Sequence, residues 1–188
     1  TQSALDKGLK PSEILENLMI PSIVEVGDLY EKKEYFLPQL IASAETMKAG
    51  FSILEPMLQA QNTAKKGKIL FATVEGDIHD IGKNIVILML RNYGFDVIDM
   101  GKDVKSDEII AMAKRENPDI IALSALMTTT MIRMPEVIEK AKLEHIKAAF
   151  MVGGAVVTED WAKTIGAHYS ANGVEAVKKA QELIDAHK

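Results

Sequence analysis

The chain has 188 residues, a net charge of −5 and no cysteine. With 47% hydrophobic and 26% charged residues it has the composition of a globular protein, which excludes a disordered chain, and its acidic balance argues against nucleic acid as a partner. The absence of cysteine excludes disulfides, cysteine-ligated zinc, iron–sulfur clusters and thiol nucleophiles. Any metal must therefore be held by His, Asp or Glu, or arrive inside a cofactor.

Residues 1–64 carry apolar side chains at intervals of three and four, which predicts three or four helices in a small bundle. Four prolines mark helix starts or short breaks in this pattern: Pro11, Pro21, Pro38 and Pro56. The polar stretch Gln59–Gly67 has no periodicity, and we expect it to be a linker and hinge. No apolar run approaches the roughly 20 residues of a membrane helix, and no signal-peptide pattern is present, so we expect a cytoplasmic protein.

Residues 65–188 alternate short apolar runs with helical segments, which predicts a second, α/β domain. Strands are expected at 68–74, 95–100, 119–123, 147–152 and near 167–170, with helices between them and a last helix from about Val174. Ser106 and Asp107 are candidate caps for the helix that reaches Glu116. The fold class is therefore α/β: a flavodoxin-like (Rossmann-like), doubly wound, five-stranded parallel sheet preceded by a helical bundle.

Ligands of such a sheet bind at the carboxyl ends of its strands, where three loops of this chain should meet. The first of these loops places Asp77 two residues before His79, close enough for the carboxylate to accept a hydrogen bond from the imidazole. This arrangement fixes the tautomer and leaves one ring nitrogen free as a general base or metal ligand. On the Asp-x-His pattern alone, a solvated loop histidine and a helix-capping Asp77 remain the alternative.

Three loop motifs in order widen this pattern: Asp77-x-His79-x-x-Gly82, Ser124-x-Leu126 and Gly153-Gly154. Together they resemble the cobalamin-binding motif, in the form found in methionine synthase and in the corrinoid proteins of methanogens and acetogens. The resemblance covers nearly the whole chain, since residues 1–64 look like the helical cap domain of those proteins. It implies that the cofactor is a cobalamin or other corrinoid, cycling between methylcob(III)alamin and cob(I)alamin.

The resemblance also implies a role for individual residues. His79 matches the lower axial ligand of cobalt, Asp77 the carboxylate behind it, and Thr130 stands where relatives of methionine synthase have a serine hydroxyl. We hypothesise that the Asp77–His79 pair couples protonation to the cobalt oxidation state. Gly82 matches a tight turn into a helix, and Gly153 and Gly154 match the slot for the nucleotide tail. The implied cofactor-binding set is Gly76, Asp77, Ile78, His79, Asp80, Ile81, Gly82, Ser124, Leu126, Thr128, Thr130, Gly153, Gly154 and Ala155.

The function implied is that of a methyl carrier, a cofactor-holding subunit that completes no reaction alone. One partner would be a substrate-specific methyltransferase using methanol, a methylamine, a methoxylated aromatic or a betaine. A second would pass the methyl group to a thiol or a tetrahydrofolate-type acceptor, and a reductive activase is a further expected partner. Two alternatives stay open: the cobalamin-binding subunit of an adenosylcobalamin-dependent mutase, and a cobalamin-sensing regulator.

Overall fold

The computed structural model describes residues 1–59 and 66–186. The chain divides into two compact units, Thr1–Asn62 and Thr63–Lys188. Most of the predicted linker and hinge, Gln59–Gly67, lies outside the described residues, so its role stays a prediction. Within the described ranges no helix is long and apolar enough to cross a lipid bilayer.

The first unit is helical. Its elements are α1 (Gln2–Asp6), α2 (Pro11–Ile14), a π-helical turn (Leu15–Met19), α3 (Ile20–Glu31) and α4 (Leu37–Gln59). Pro11 begins α2, where its missing N–H costs nothing, whereas Pro56 lies inside α4. Ile14, Leu15, Leu54 and Leu58 are buried between the helices and form the core of this unit.

The second unit is a five-stranded parallel sheet with strand order β2-β1-β3-β4-β5. The strands are β1 (Lys68–Thr73), β2 (Asp96–Asp99), β3 (Ile120–Ser124), β4 (Ala149–Gly153) and β5 (His168–Tyr169). The helices are α5 (Ile81–Asn92), α6 (Ser106–Glu116), α7 (Thr128–Met131), α8 (Met134–Leu143), α9 (Glu159–Thr164) and α10 (Gly173–Ala186). This arrangement confirms the predicted fold class.

Alternate strand residues face opposite sides of the sheet, and helices cover both sides. The residues of both faces are therefore largely buried in the central strands, which explains why these strands are continuously apolar. Leu70, Ala72, Ile121 and Leu123 point into a core shared with α6, α8 and α9. On the other side α5 packs against α10, where the sulfur of Met89 would lie 2.3 Å from a Cβ added to Gly173. Both faces are therefore covered by helices, and the strand ends are the parts of the sheet left for a ligand.

Two local expectations were wrong. Ser106 does not cap α6, because its hydroxyl instead donates to Glu136 Oε1 at 2.6 Å and the helix is preceded by Lys105. The short helix α7 was expected to be loop, because four residues are too few for a helical hydrophobic period to be visible in the sequence.

Candidate functional site

The site lies at the carboxyl edge of the sheet, between β1 and β3. In the sheet β2 lies on one side of β1, whereas β3, β4 and β5 lie on the other side. The direction in which successive strands are added therefore reverses between β1 and β3. Crevices at such reversals are the usual ligand sites of doubly wound sheets. Asp77 and His79 follow β1, and Leu126 and Thr130 follow β3, so the fold brings two of the three motif loops to this reversal.

The Asp77 carboxylate is the centre of the site. It is fully buried, and each of its oxygens accepts two hydrogen bonds. Oδ1 accepts from the backbone N–H of His79 at 3.0 Å and lies 2.8 Å from Nδ1 of the same residue. Oδ2 accepts from the backbone N–H of Leu126 and from the Thr130 hydroxyl, both at 2.7 Å. One side chain thus joins the loop after β1 to the loop after β3.

These contacts decide the charge of Asp77 and the tautomer of His79. Burial is the largest single influence and by itself raises the pKa of Asp77, but the four hydrogen bonds together outweigh it and lower that pKa from 3.8 to about 2. An ionised carboxylate can only accept, so Nδ1 of His79 must carry the proton in this contact. Nε2 of the neutral ring then keeps its lone pair, on a side chain that is 46% exposed.

The lowered pKa of Asp77 predicts how the apoprotein responds to acid. The shift from 3.8 to about 2 corresponds to about 2 kcal/mol of free energy of unfolding, which is fully present above about pH 4 and is lost as the pH falls towards 2. Asp77→Asn removes this contribution. In urea titrations its deficit relative to the wild type should be constant at neutral pH and should shrink below about pH 4. A deficit of the same size throughout the acid range would contradict this assignment.

Thr130 reaches Asp77 because α7 turns the chain back towards β1. Its side chain is buried, and its hydroxyl also lies 2.9 Å from the carbonyl oxygen of Met127. Sequence reasoning predicted that the hydroxyl at this position replaces the serine of related proteins, and the geometry joins it directly to Asp77.

We expect Thr130→Val to leave Asp77 Oδ2 with the Leu126 N–H alone while keeping the shape of the side chain. The resulting loss of free energy of unfolding should be about 1–3 kcal/mol in the apoprotein. Thr130→Ser, which keeps the hydroxyl, serves as the matched control and should lose less. Equal urea midpoints for the two variants would argue against a structural role for the hydroxyl.

The glycines of the site have different reasons for being glycine. Gly154 has a left-handed φ of 125°, and a Cβ added there would lie 1.8 Å from the carbonyl oxygen of Ala125. At Gly153 the added Cβ would lie 2.9 Å from the carbonyl oxygen of Ser170. The first atoms met are the protein's own backbone, so the fold by itself excludes side chains at both positions. The predicted slot for a cofactor tail at these glycines stays a prediction.

Gly82 does not make the predicted tight turn. It lies inside α5 with ordinary helical geometry, and an added Cβ would meet none of the described atoms within 4 Å. The turn is made earlier, at Gly76, whose φ is 82°. The sequence pattern could not separate these two glycines, because both flank the Asp77–His79 pair.

The remaining predicted residues lie around the same edge. Ser124 ends β3, Thr128 begins α7, Asp80 precedes α5, and Ala155 is exposed after β4. Several large apolar side chains near them are exposed, and one of these, Ile132, was not predicted. The exposed set is Ile78, Ile81, Leu126 and Ile132. Exposed apolar side chains in the loops of one sheet edge are typical of a surface that receives a ligand or a partner.

Two family models match the chain. Both describe a B12-binding domain, one over residues 67–181 and the other over residues 1–55. The chain belongs to the B12-binding family. Cobalamin binding, predicted from the three loop motifs, is therefore confirmed at the level of the family.

Three known proteins show how this B12-binding chain relates to others. It is 46% identical to dimethylamine corrinoid protein 2 of Methanosarcina acetivorans over 94% of this chain and 83% of that protein. The monomethylamine corrinoid protein of Methanosarcina barkeri is 33% identical, with a TM-score of 0.85 over 97% of this chain and 88% of that one. The methanol:cobalamin methyltransferase complex MtaBC of the same organism matches with 32% identity and a TM-score of 0.63, over 98% of this chain and 71% of that one.

Proposed function

We propose that this protein carries a methyl group on a corrinoid whose cobalt takes Nε2 of His79 as its lower axial ligand. The observation that carries the proposal is the fixed imidazole: Nδ1 lies 2.8 Å from a fully buried carboxylate, and the side chain that carries the other ring nitrogen is 46% exposed. Membership of the B12-binding family identifies the cofactor as a corrinoid, and imidazole nitrogen is a suitable ligand for its cobalt.

The donor set fits this cofactor. A corrin ring supplies the equatorial nitrogens of cobalt, so the protein has to contribute one axial nitrogen, and imidazole is a suitable donor. The corrin is large and partly apolar, and the exposed side chains of Ile78, Leu126 and Ile132 provide an apolar surface at the same sheet edge. Ser124 at the end of β3 and Thr128 at the start of α7 are available for polar contacts to it.

When bound, the corrinoid supplies a cobalt nucleophile that accepts and donates methyl groups. The residues of this chain orient and tune it. Asp77 keeps the imidazole in one tautomer and makes its nitrogen a stronger donor, and Thr130 and the Leu126 N–H keep that carboxylate in place. The protein therefore acts as a cofactor-holding subunit, and the choice of substrate falls to another protein.

The expected partner is a methyltransferase that delivers the methyl group. The similarity to monomethylamine and dimethylamine corrinoid proteins favours a methylamine as donor, and the similarity to a methanol:cobalamin methyltransferase complex supports direct association with such an enzyme. The second methyltransferase, with a thiol or tetrahydrofolate-type acceptor, and the reductive activase belong to the same proposal.

The decisive test is methyl acceptance. The protein is reconstituted with hydroxocobalamin, reduced, and mixed with a methylamine methyltransferase and mono-, di- or trimethylamine, or with a methanol methyltransferase and methanol. Conversion of the visible spectrum to that of methylated cobalamin with one donor would support the proposal and name the donor. A protein that takes up cobalamin but is methylated by none of these systems, and instead supports a radical isomerisation, would contradict it.

A further inference from the structure

Residues 99–104 comprise the last residue of β2 and the loop that follows it, and we call them the β2-exit loop. This loop is joined to the end of β1. Thr73 N–H donates to the carbonyl oxygen of Gly101 at 3.0 Å, and Val104 N–H donates to the carbonyl oxygen of Thr73 at 3.1 Å. Val74 and Val104 form a further parallel bridge beyond the regular strands. The backbone of this loop is thus held at the point from which the Asp77–His79 loop departs.

Asp103 of this loop contacts the residues just before His79. Its Oδ1 accepts from the backbone N–H of Gly76 at 2.7 Å, and its own N–H donates to the carbonyl oxygen of Asp77 at 3.0 Å. Asp103 has a left-handed φ of 55°, a conformation that Asp adopts more readily than most residues. The side chain and the backbone of Asp103 therefore hold the two residues, Gly76 and Asp77, with which the His79 loop begins.

Asp99, at the other end of the β2-exit loop, contacts the residues just after His79. It accepts from Nζ of Lys83, which lies near the start of α5, and from the backbone N–H of Gly101 at 2.8 Å. Lys83 is 2% exposed, and a buried ammonium needs a partner of opposite charge. Its Nζ also donates to Oδ1 of Asn84 at 3.0 Å.

We infer that Asp103 and Asp99 are positioning residues for His79, acting through the two ends of the 76–83 segment. The half-exposed imidazole is oriented by Asp77, so its direction depends on where the backbone of this segment runs. The β2-exit loop fixes the position of this backbone, because Asp103 binds Gly76 and Asp77 at the start of the segment and Asp99 binds Lys83 at its end. This inference deepens the proposed function and rests on it, because the orientation matters through the axial ligand.

The chain offers a matched pair of substitutions at Asp103. Glycine adopts the left-handed φ without strain but removes the acceptor for Gly76 N–H, whereas asparagine tolerates that φ and keeps an acceptor oxygen. Asp103→Gly therefore removes the contact alone, and Asp103→Asn should rescue it. Lys102→Ala, at the adjacent exposed residue of the same loop, is a further control.

The first measurement uses apoprotein labelled with ¹⁵N-histidine. NMR of the ring nitrogens reports whether His79 keeps a single tautomer with the proton on Nδ1. We expect this signature in the wild type, Asp103→Asn and Lys102→Ala, and exchange between tautomers in the folded Asp103→Gly protein. A wild-type signature in Asp103→Gly would overturn the inference, and this readout does not depend on whether the histidine binds cobalt.

The second measurement uses protein reconstituted with cobalamin and reduced to the paramagnetic cobalt(II) state. The ¹⁵N-histidine splitting in the electron paramagnetic resonance spectrum gives the fraction of cofactor ligated by His79. Asp103→Gly should at least halve this fraction and release cobalamin about tenfold faster, the scale on which outer partners of metal ligands act. Absence of the splitting in the wild type itself would instead refute histidine ligation.

Should Asp103→Gly fail to fold, Asp99→Asn provides the same comparison at the other end of the segment. It keeps an acceptor for Gly101 N–H and removes the charge that faces Lys83. A fall in the His79-ligated fraction, at wild-type cobalamin occupancy, supports the inference, and an unchanged fraction overturns it.

Discussion

Replacing His79 with alanine should abolish histidine coordination of the bound cofactor and lower cobalamin affinity by at least about tenfold. The physical reason is that the proposed ligand is Nε2 of this partly exposed imidazole, whose other nitrogen is held by the Asp77 carboxylate. The change should be visible without any methyltransferase. In the cobalt(II) state the wild type labelled with ¹⁵N-histidine should show doublet splitting, and the variant should lose it.

The matched control is His145→Ala. His145 is an exposed residue just after α8, with a φ of 55°, and it lies on a different loop from the motif residues. This variant should keep the doublet and the affinity of the wild type. If His79→Ala kept the doublet, another histidine would be the ligand, and the axial-ligand proposal would be refuted.

Gly154→Ala should have the largest effect on folding, a loss of about 3–5 kcal/mol of free energy of unfolding or no folded protein at all. The added Cβ would lie 1.8 Å from the carbonyl oxygen of Ala125, and the φ of 125° is strained for any side chain. Relief would require the loop after β4 to move away from the end of β3, so cobalamin uptake should fall as well.

Gly82→Ala is the control for this change, because an added Cβ there meets none of the described atoms within 4 Å and the residue is helical. Its apoprotein should be as stable as the wild type, or more stable by up to about 1 kcal/mol. Thermal unfolding of the two variants side by side provides the measurement. If Gly154→Ala had the melting temperature of the wild type, the loop after β4 would be able to move away from Ala125 at little cost, and the prediction would be wrong.

The fold was predictable because the signals for it are local and repeated. Each strand is a short apolar run closed by a glycine, a proline or a change of period, and Gly94, with a φ of 94°, ends α5 where the sequence indicated. What sequence could not supply is the pairing between distant segments. Nothing in the local pattern around Asp103 indicates that its carboxylate meets Gly76, which lies 27 residues away along the chain.

The site was predictable to a different degree. The spacing of Asp77 and His79 indicated their contact, the resemblance to the cobalamin-binding motif added Thr130 to the group, and the structure brings all three together. The contribution of the Leu126 backbone N–H was invisible, because any residue other than proline carries one. The burial of Lys83 was not predicted either, because it depends on Asp99, which lies in β2, 16 residues away along the chain.

The Thr130 hydroxyl has a single proton and two acceptors within reach, Oδ2 of Asp77 at 2.7 Å and the carbonyl oxygen of Met127 at 2.9 Å. While Asp77 is ionised, the proton points to the carboxylate. If the carboxylate gains a proton on Oδ2, the hydroxyl can rotate to donate to the carbonyl oxygen of Met127 and accept a hydrogen bond from the protonated Oδ2, with no movement of heavy atoms. Protonation of Asp77, which its pKa of about 2 confines to acid solution, therefore does not require the loops that hold the imidazole to rearrange.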